Sequence, residues 1–142
     1  MAIQLPFGDL TKGEVVKSLV TNGLQDVALA TTSCVSYPLR QEKGKSCGVC
    51  PACISRRLAL HAAGIEERRG TYHVDLLDGA SMISPKKQRY LKAFLLLVDH
   101  LTETSEGRLP IVIARHLRAT EVIKNGESEQ PYVDLYRRYT TE

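Results

Sequence analysis

The sequence contains no tryptophan and only two phenylalanines, and six tyrosines are its remaining aromatic residues. Proteins that bind single-stranded nucleic acid stack bases on aromatic side chains, so this composition argues against a nucleic-acid partner. A long apolar run is also absent. The run FLLLV at 94–98 falls far short of the roughly 18 residues that mark a membrane span, so no membrane partner is expected.

The first residues, MAIQLPFGDL, lack the basic segment followed by an apolar segment that marks a secretory signal. We therefore expect a cytoplasmic protein, in which thiols stay reduced. The formal net charge is only +3, although arginine doublets stand at 56–57, 68–69 and 137–138. These doublets are typical of solvated helix faces, and a phosphate-facing patch is the alternative.

Helical patterns dominate the chain. LTKGEVVKSLVTNG (10–23) predicts a helix with Thr11 as N-cap, Glu14 completing a capping box and Gly23 ending it. SPKKQRYLKAFLLLVDHL (84–101) predicts a second helix, which Ser84 caps and Pro85 begins. Its apolar face is expected to contain Tyr90, Leu91, Phe94, Leu95, Val98 and Leu101.

Three further segments have helical patterns. Residues 54–64 are rich in leucine and alanine and end at Gly64, and RLPIVIARHLRATEVIKNG (108–126) is expected to stop at Asn125–Gly126. PYVDLYRRY (131–139) would place Tyr132, Leu135, Tyr136 and Tyr139 on one face. Between the helices, 24–33 is a connection of uncertain type, 35–46 an exposed loop, and TYHVDLL (71–77) a short strand within a loop. The fold class predicted is mainly α, a small helical domain with a four-cysteine zinc-binding loop.

The four cysteines have the spacing C-x12-C-x2-C-x2-C, with Cys34 in TTSC and Cys47, Cys50 and Cys53 in CGVCPAC. A structural zinc ion takes four ligands in a tetrahedron, and four thiolates satisfy it. Gly48 and Pro51 suit the tight turns that such a loop needs. Cys53 precedes the predicted helix, whose dipole would favour its thiolate. The pattern favours a closed zinc site with no open coordination position, which would be structural rather than catalytic.

Two alternatives remain open at this stage. A pair of disulfides suits a reducing compartment poorly, and disulfides between CxxC neighbours are redox-active rather than structural. An iron–sulfur cluster also uses four cysteines, but the ferredoxin run places its fourth cysteine downstream, before a proline.

The order of these motifs resembles a known family. LPFGDLTKGEVVKSLVTNGL, TTSC and CGVCPACISRRLALHAAGI together are similar to the C-terminal portion of the 7-cyano-7-deazaguanine synthases, the QueC family of the PP-loop ATP-pyrophosphatase superfamily. The resemblance covers about residues 5–75. It implies a ligase that forms C–N bonds, using ATP to convert 7-carboxy-7-deazaguanine and ammonia to 7-cyano-7-deazaguanine in queuosine-type biosynthesis.

The sequence also departs from the family. The Ser-Gly-Gly-x-Asp-Ser loop with which the family holds ATP is not found in the sequence, Thr32 stands where family members usually have an aromatic residue, and the first cysteine gap is longer. We therefore expect a C-terminal fragment or a separate subunit that is inactive alone and that needs a PP-loop ATP-binding domain or subunit as partner. A homo-oligomer is the other assembly considered. Residues 1–78 would form the QueC-like zinc-binding region and residues 79–142 a helical extension of unknown role, packed in the same domain.

The resemblance also assigns candidate site residues. It implies Cys34, Cys47, Cys50 and Cys53 as ligands of Zn²⁺, while ATP would bind only in a full-length parent enzyme or complex. A lysine at the start of the first helix and an arginine after the last cysteine match the family motif, which makes Lys12, Arg56 and Arg57 candidates for facing nucleotide phosphates. Catalytic residues stay unassigned. The alternative functions are a zinc-stabilised nucleic-acid-binding or interaction module, and a paralogue of the synthase with a different substrate.

Overall fold

The computed structural model describes residues 6–36, 45–76, 84–104, 107–124 and 126–142. These residues form the helices α1 (Lys12–Thr21), α2 (Gln25–Ala30), α3 (Pro51–Ala62), α4 (Pro85–Glu103), α5 (Leu109–Ala119) and α6 (Gln130–Thr140). Across the described ranges there is no strand, and a single parallel β-bridge joins Ser46 to Tyr72. The predicted mainly α fold is confirmed, whereas the strand expected at 71–77 is reduced to this bridge.

The chain divides into two compact units. One contains residues 12–95 and Glu142, and the other contains residues 1–11 and 96–141. The division falls within α4. The predicted domain boundary at residues 78 and 79 lies outside the described residues, as do residues 37–44 of the loop predicted over 35–46.

The unit of residues 12–95 is organised by α1, which packs against α2 and α3. Ala28, Leu60 and Ile65 are buried at the centre of this unit. Partly buried side chains surround them, namely Val16, Leu19, Val20, Leu29 and Ala63. The apolar face predicted for the first helix is therefore in contact with the core, and it packs against α3, which contains Cys53 and follows directly after Cys50.

Glycines end both α1 and α3 as predicted. Gly23 and Gly64 each have a φ of 72°, in the left-handed region that glycine adopts readily. At the end of α1, Gly23 N–H donates to the Val20 carbonyl at 2.9 Å, and Leu24 N–H donates to the Leu19 carbonyl at 2.8 Å. This is a Schellman motif. Helix α2 follows at once, and its six residues are too few to show a helical period in the sequence.

The other unit has its own core. Six buried residues form it, Leu101, Leu109, Ile113, Leu117, Ile123 and Val133, with Tyr132 and Tyr136 packed against them. The tyrosine face predicted for the last helix is thus confirmed at two positions. Val133, which was not part of the predicted face, is fully buried in the same core. This role of Val133 was not predicted from its position in the sequence.

The predicted end of the helix at Asn125–Gly126 is wrong, because α5 ends at Ala119. Glu121 has a φ of 57°, and Val122 N–H donates to the Leu117 carbonyl at 2.8 Å. The chain thus reverses in a Schellman-type turn without a glycine. The reversal brings Ile123 back into the core, where it is buried, and this burial offsets the strain at Glu121.

Helix α4 has the predicted start and length, but its apolar residues are only partly covered. Leu101 is buried, whereas Tyr90, Leu95, Leu96 and Leu97 are 41%, 55%, 67% and 41% exposed. Two members of the predicted apolar face therefore lie in solvent. No helix in the described ranges combines the length and apolarity that a membrane crossing requires.

Candidate metal centre

The fold brings the four cysteines to one point. Cys34 lies in the extended segment that follows α2, and Cys47, Cys50 and Cys53 lie at or before the first turn of α3. Their Sγ atoms are all within 4.8 Å of one another, and those of Cys47 and Cys53 are 3.9 Å apart. A tetrahedral zinc site with Zn–S bonds of about 2.3 Å has sulfur–sulfur edges of about 3.8 Å. The four cysteines are therefore positioned to bind a metal ion.

The start of α3 shapes the site locally. Cys50 is the N-cap of the helix, and its Sγ accepts a hydrogen bond from Cys53 N–H at 3.4 Å, while Pro51 occupies the first turn. In the same way Cys34 Sγ accepts from Cys47 N–H at 3.4 Å. Backbone N–H groups pointing at sulfur stabilise the thiolate form, which is the form that binds metal.

The thiols lie in a poorly solvated pocket. Cys34, Cys50 and Cys53 are buried and Cys47 is half-buried, and no disulfide links these four described residues. Burial, reinforced by the neighbouring thiol of Cys50, raises the pKa of Cys53, and burial also raises the pKa of Cys47. Burial also acts to raise the pKa of Cys50. Hydrogen bonds, among them those from Val35 N–H and Cys53 N–H, outweigh burial and lower this pKa.

Burial thus acts on the pKa of Cys53 against the expected effect of the helix dipole. Its sulfur is too far from water for the N-terminus of α3 to favour the thiolate by itself. A cation placed among the four sulfurs supplies the missing stabilisation, since metal binding requires deprotonated cysteines and releases their protons. The donor set thus fits a thiophilic metal ion.

A second segment, Glu67–Asp75, lies against the cysteines. His73 N–H donates to the Ser46 carbonyl at 2.9 Å, and Val74 N–H donates to the Cys47 carbonyl at 3.3 Å. Tyr72, the residue before His73, is buried and belongs to one cluster with Cys34, Cys50 and Cys53. We call this segment the cover segment. It places an aromatic side chain in the same buried cluster as three of the cysteines.

Arg56 connects the cover segment to the helices. Its guanidinium is buried and pairs with the carboxylate of Glu67. The same nitrogen donates to the hydroxyl oxygen of Tyr72 at 2.7 Å, and Tyr72 in turn donates to Glu67 Oε1 at 2.7 Å. Nη2 donates to the carbonyls of Leu29 at 3.1 Å and Ala28 at 3.4 Å, at the end of α2. Four protein groups thus share this one cation.

Arg57 also faces the cover segment. Its Nη2 lies 2.9 Å from Asp75 Oδ1, and its guanidinium carbon lies 4.8 Å from the centre of the Tyr72 ring. This distance is within the range of a cation–π contact. Arg56 and Arg57 therefore meet on Tyr72 from two directions. A phosphate-facing role for either arginine stays a prediction, which these internal contacts do not support.

Lys12 lies at the start of α1, with its Nζ 3.3 Å from the hydroxyl oxygen of Ser33, the residue before Cys34. Lys12 is exposed to solvent. Partial burial and the charge of Arg56 lower the pKa of Lys12, and Cys53 acts in the opposite direction. Lys12 is thus close enough to interact electrostatically with both Arg56 and the cysteine cluster.

A cavity of about 300 Å³ opens beside Arg56. Its walls contain two acidic and two basic side chains together with Leu29 and Thr71, the charged residues being Asp26, Glu67, Arg56 and Arg68. Because the charges on its walls balance, the cavity offers phosphate no net positive surface.

Three residues of the site were not identified from sequence, namely Glu67, Tyr72 and Asp75. They lie 14 or more positions after Cys53, in a stretch without helical periodicity. The apolar alternation of Tyr72 and Val74 was the only signal, and it indicated a strand rather than a contact with the cysteines.

Comparison with known proteins gives a consistent result for the same part of the chain. Residues 1–64 match the family model described as queuosine biosynthesis protein QueC. Curated 7-cyano-7-deazaguanine synthases from Cupriavidus taiwanensis and Cupriavidus necator are each 35% identical to this chain over 65 residues, which is 46% of this chain and 26% of each relative. The matched part thus spans about a quarter of these relatives' length. No solved structure matches the chain.

The fold and the site define a mainly helical protein with a four-cysteine site positioned for a metal ion. Its residues 1–64 are similar to the QueC family, in agreement with the resemblance in the sequence. The matched range includes all four cysteines and ends before the cover segment begins at Glu67.

Proposed function

We propose that this chain is the zinc-binding portion of a QueC-like, ATP-dependent ligase that forms 7-cyano-7-deazaguanine from 7-carboxy-7-deazaguanine and ammonia. The observation that carries the proposal is the convergence of Cys34, Cys47, Cys50 and Cys53 within 4.8 Å, inside the range that matches the family. The product is that named in the relatives, which are 7-cyano-7-deazaguanine synthases.

We assign zinc as the metal because four thiolates at the corners of a tetrahedron are a typical structural zinc site. Bound zinc would hold four thiolates and leave no position for substrate. The cysteines would therefore fix the segment after α2 to the start of α3, and their contribution to the reaction would be to hold these elements in place.

In this proposal the nucleotide is held elsewhere. Family members bind ATP on a glycine-rich loop whose N–H groups surround the phosphates, and a PP-loop domain or subunit would provide it as the partner. The chain described here would complete the assembly, and Lys12 at the exposed start of α1 is the residue we propose to face phosphate there. The assembly would act in the cytoplasm.

Two measurements on the purified chain test this proposal. Elemental analysis should give about one zinc ion per chain, and calorimetric titration with ATP should give no heat of binding in the absence of the partner. The matched controls are the four single Cys→Ser variants, each of which should lose the metal. Bound iron, or no metal in wild type, would contradict the assignment.

Activity is tested by supplying the missing part. A PP-loop domain from a relative, mixed with this chain, should form 7-cyano-7-deazaguanine when ATP, ammonia and the carboxylate substrate are present. Lys12→Ala should lower this activity while the zinc content stays unchanged. Full activity of the PP-loop domain without the chain would count against the proposal.

A further inference from the structure

We propose that the cover segment Glu67–Asp75 controls how fast the metal ion leaves the four-cysteine site, and that Tyr72 is its positioning residue. This inference rests on the metal site of the proposed function and adds to it residues that contact the ligands, from a part of the chain that follows the range matched by the family model. Such outer-shell partners tune metal affinity by about 10–100-fold in known sites.

The backbone of the cover segment is attached beside a ligand. The bonds from His73 N–H to the Ser46 carbonyl and from Val74 N–H to the Cys47 carbonyl hold the segment to the residues that begin the CxxCxxC run. Cys47 is also the one half-buried cysteine. A competing chelator would therefore approach the sulfurs at Cys47, beside the hydrogen bond that attaches the cover segment.

The side chain of Tyr72 provides a second contact between the cover segment and the cysteine cluster. Its ring packs with Cys34, Cys50 and Cys53, so the segment must move before these sulfurs become accessible to a competing ligand. The hydroxyl both accepts from Arg56 and donates to Glu67, at 2.7 Å each. The ring thus shields sulfur while the hydroxyl determines where the ring lies.

Opening the segment would separate charges that are paired only when it is closed. The side chains of Arg56 and Glu67 are 7% and 14% exposed, and leaving a buried charge without its partner is strongly unfavourable. Arg57 adds a second attachment through Asp75 and through the face of the Tyr72 ring. These two arginines, at the second turn of α3, therefore oppose metal release without touching the metal.

The experiment measures the rate of metal transfer from the loaded protein to an excess of chromophoric chelator, under conditions far below unfolding. Tyr72→Phe and Glu67→Gln should each accelerate release about tenfold. The effects in the double variant should be less than additive, since both substitutions weaken the same network of Arg56, Glu67 and Tyr72. Tyr90→Phe, which removes an exposed hydroxyl on α4, should leave the rate unchanged.

Two readouts separate a cover from a general effect on folding. In protein loaded with Co²⁺, the visible absorption of a tetrahedral four-thiolate site should be the same in wild type and in Tyr72→Phe, because no ligand is lost. Leu60→Ala, in the buried cluster with Ala28 and Ile65, should lower thermal stability more than Tyr72→Phe does, yet release metal at the wild-type rate.

The outcomes are distinguishable from those that test the proposed function. If wild type binds one metal ion per chain and Tyr72→Phe and Glu67→Gln release it at the wild-type rate, the cover is refuted and the zinc assignment stands. The cover is also refuted if Leu60→Ala accelerates release as much as Tyr72→Phe. If wild type binds no metal, both proposals fall together.

Discussion

The carbonyl oxygen of Val74 lies where a side chain on Gly48 would have to be. A Cβ atom on Gly48 would meet this oxygen, and it would lie 2.9 Å from Cβ of Tyr72. Gly48 also has a φ of 81°. The glycine of CGVC is thus required both by its own backbone and by the approach of the cover segment.

Gly48→Ala should therefore lower the free energy of unfolding by about 3 kcal/mol, through strain and displacement of the cover segment. Gly64→Ala is the matched control, because Gly64 has a φ of 72° but no atom within 4 Å of its Cβ position. It should cost only about 1–2 kcal/mol. Urea unfolding of the metal-loaded proteins measures both values, and equal losses would show that the close approach of Val74 is immaterial.

Removing the shared cation should be more costly. Arg56→Gln leaves the carboxylate of Glu67 buried without its partner and deprives the carbonyls of Ala28 and Leu29 of a donor. We expect a loss of about 3–5 kcal/mol. Arg118→Gln is the control, since its pair with Glu129 is largely exposed and should contribute less than about 1 kcal/mol. The prediction is contradicted if chemical denaturation gives similar losses for the two variants.

Tyr72 should make the protein sensitive to alkali. Burial, followed by the hydrogen bond to Glu67, raises the pKa of Tyr72 above its ordinary value of 10.0. Above that pH the unfolded chain loses a proton that the native protein keeps, so stability that is fully present at lower pH declines as pH rises. The decline due to this residue is up to about 1.4 kcal/mol per pH unit.

Urea unfolding of metal-loaded protein from about pH 8 to about pH 11 measures this slope. Tyr72→Phe should reduce it by the contribution of one proton, while Tyr90→Phe, at an exposed position, should not. A slope that is identical in wild type and in Tyr72→Phe would be inconsistent with the buried, hydrogen-bonded phenol.

Glu121 offers a stabilising substitution. It has a φ of 57° at the end of α5, where most side chains are strained. Glu121→Gly should relieve this strain and raise stability by about 1 kcal/mol, whereas Glu121→Ala should not. Thermal unfolding of the two variants checks the prediction, and a glycine variant less stable than wild type would count against a left-handed residue here.

The parts of the fold that could be predicted were those with a local signal. Gly23 and Gly64 end helices because only a left-handed residue lets the last carbonyls find donors, and Pro85 marks the start of α4 for an equally local reason. Asn125–Gly126 is a helix-ending sequence of the same kind, but the prediction made from it was wrong. The burial of Ile123 determined the end of α5 instead. Tertiary packing outweighed the local preference there.

The residues of the metal site likewise include some that could be predicted from the sequence and some that could not. The four cysteines could be predicted because ligand spacing is written in the sequence, and the fold confirms that they meet. The partners of Arg56 could not, because Glu67 and Tyr72 become its neighbours only through the bridge between Ser46 and Tyr72. Arginine after the last cysteine therefore suggested a phosphate, whereas the fold surrounds it with protein oxygens.

The space at Gly48 also constrains how this sequence can diverge. Because the Val74 carbonyl and Tyr72 fill the place of a side chain at position 48, a residue larger than glycine can be accepted only together with a different course of the chain after Gly64. Positions 48 and 72–74 should therefore vary as a group among descendants of this protein. Cys47 and Cys50, the two cysteines on either side of Gly48, would therefore be inherited together with the cover segment.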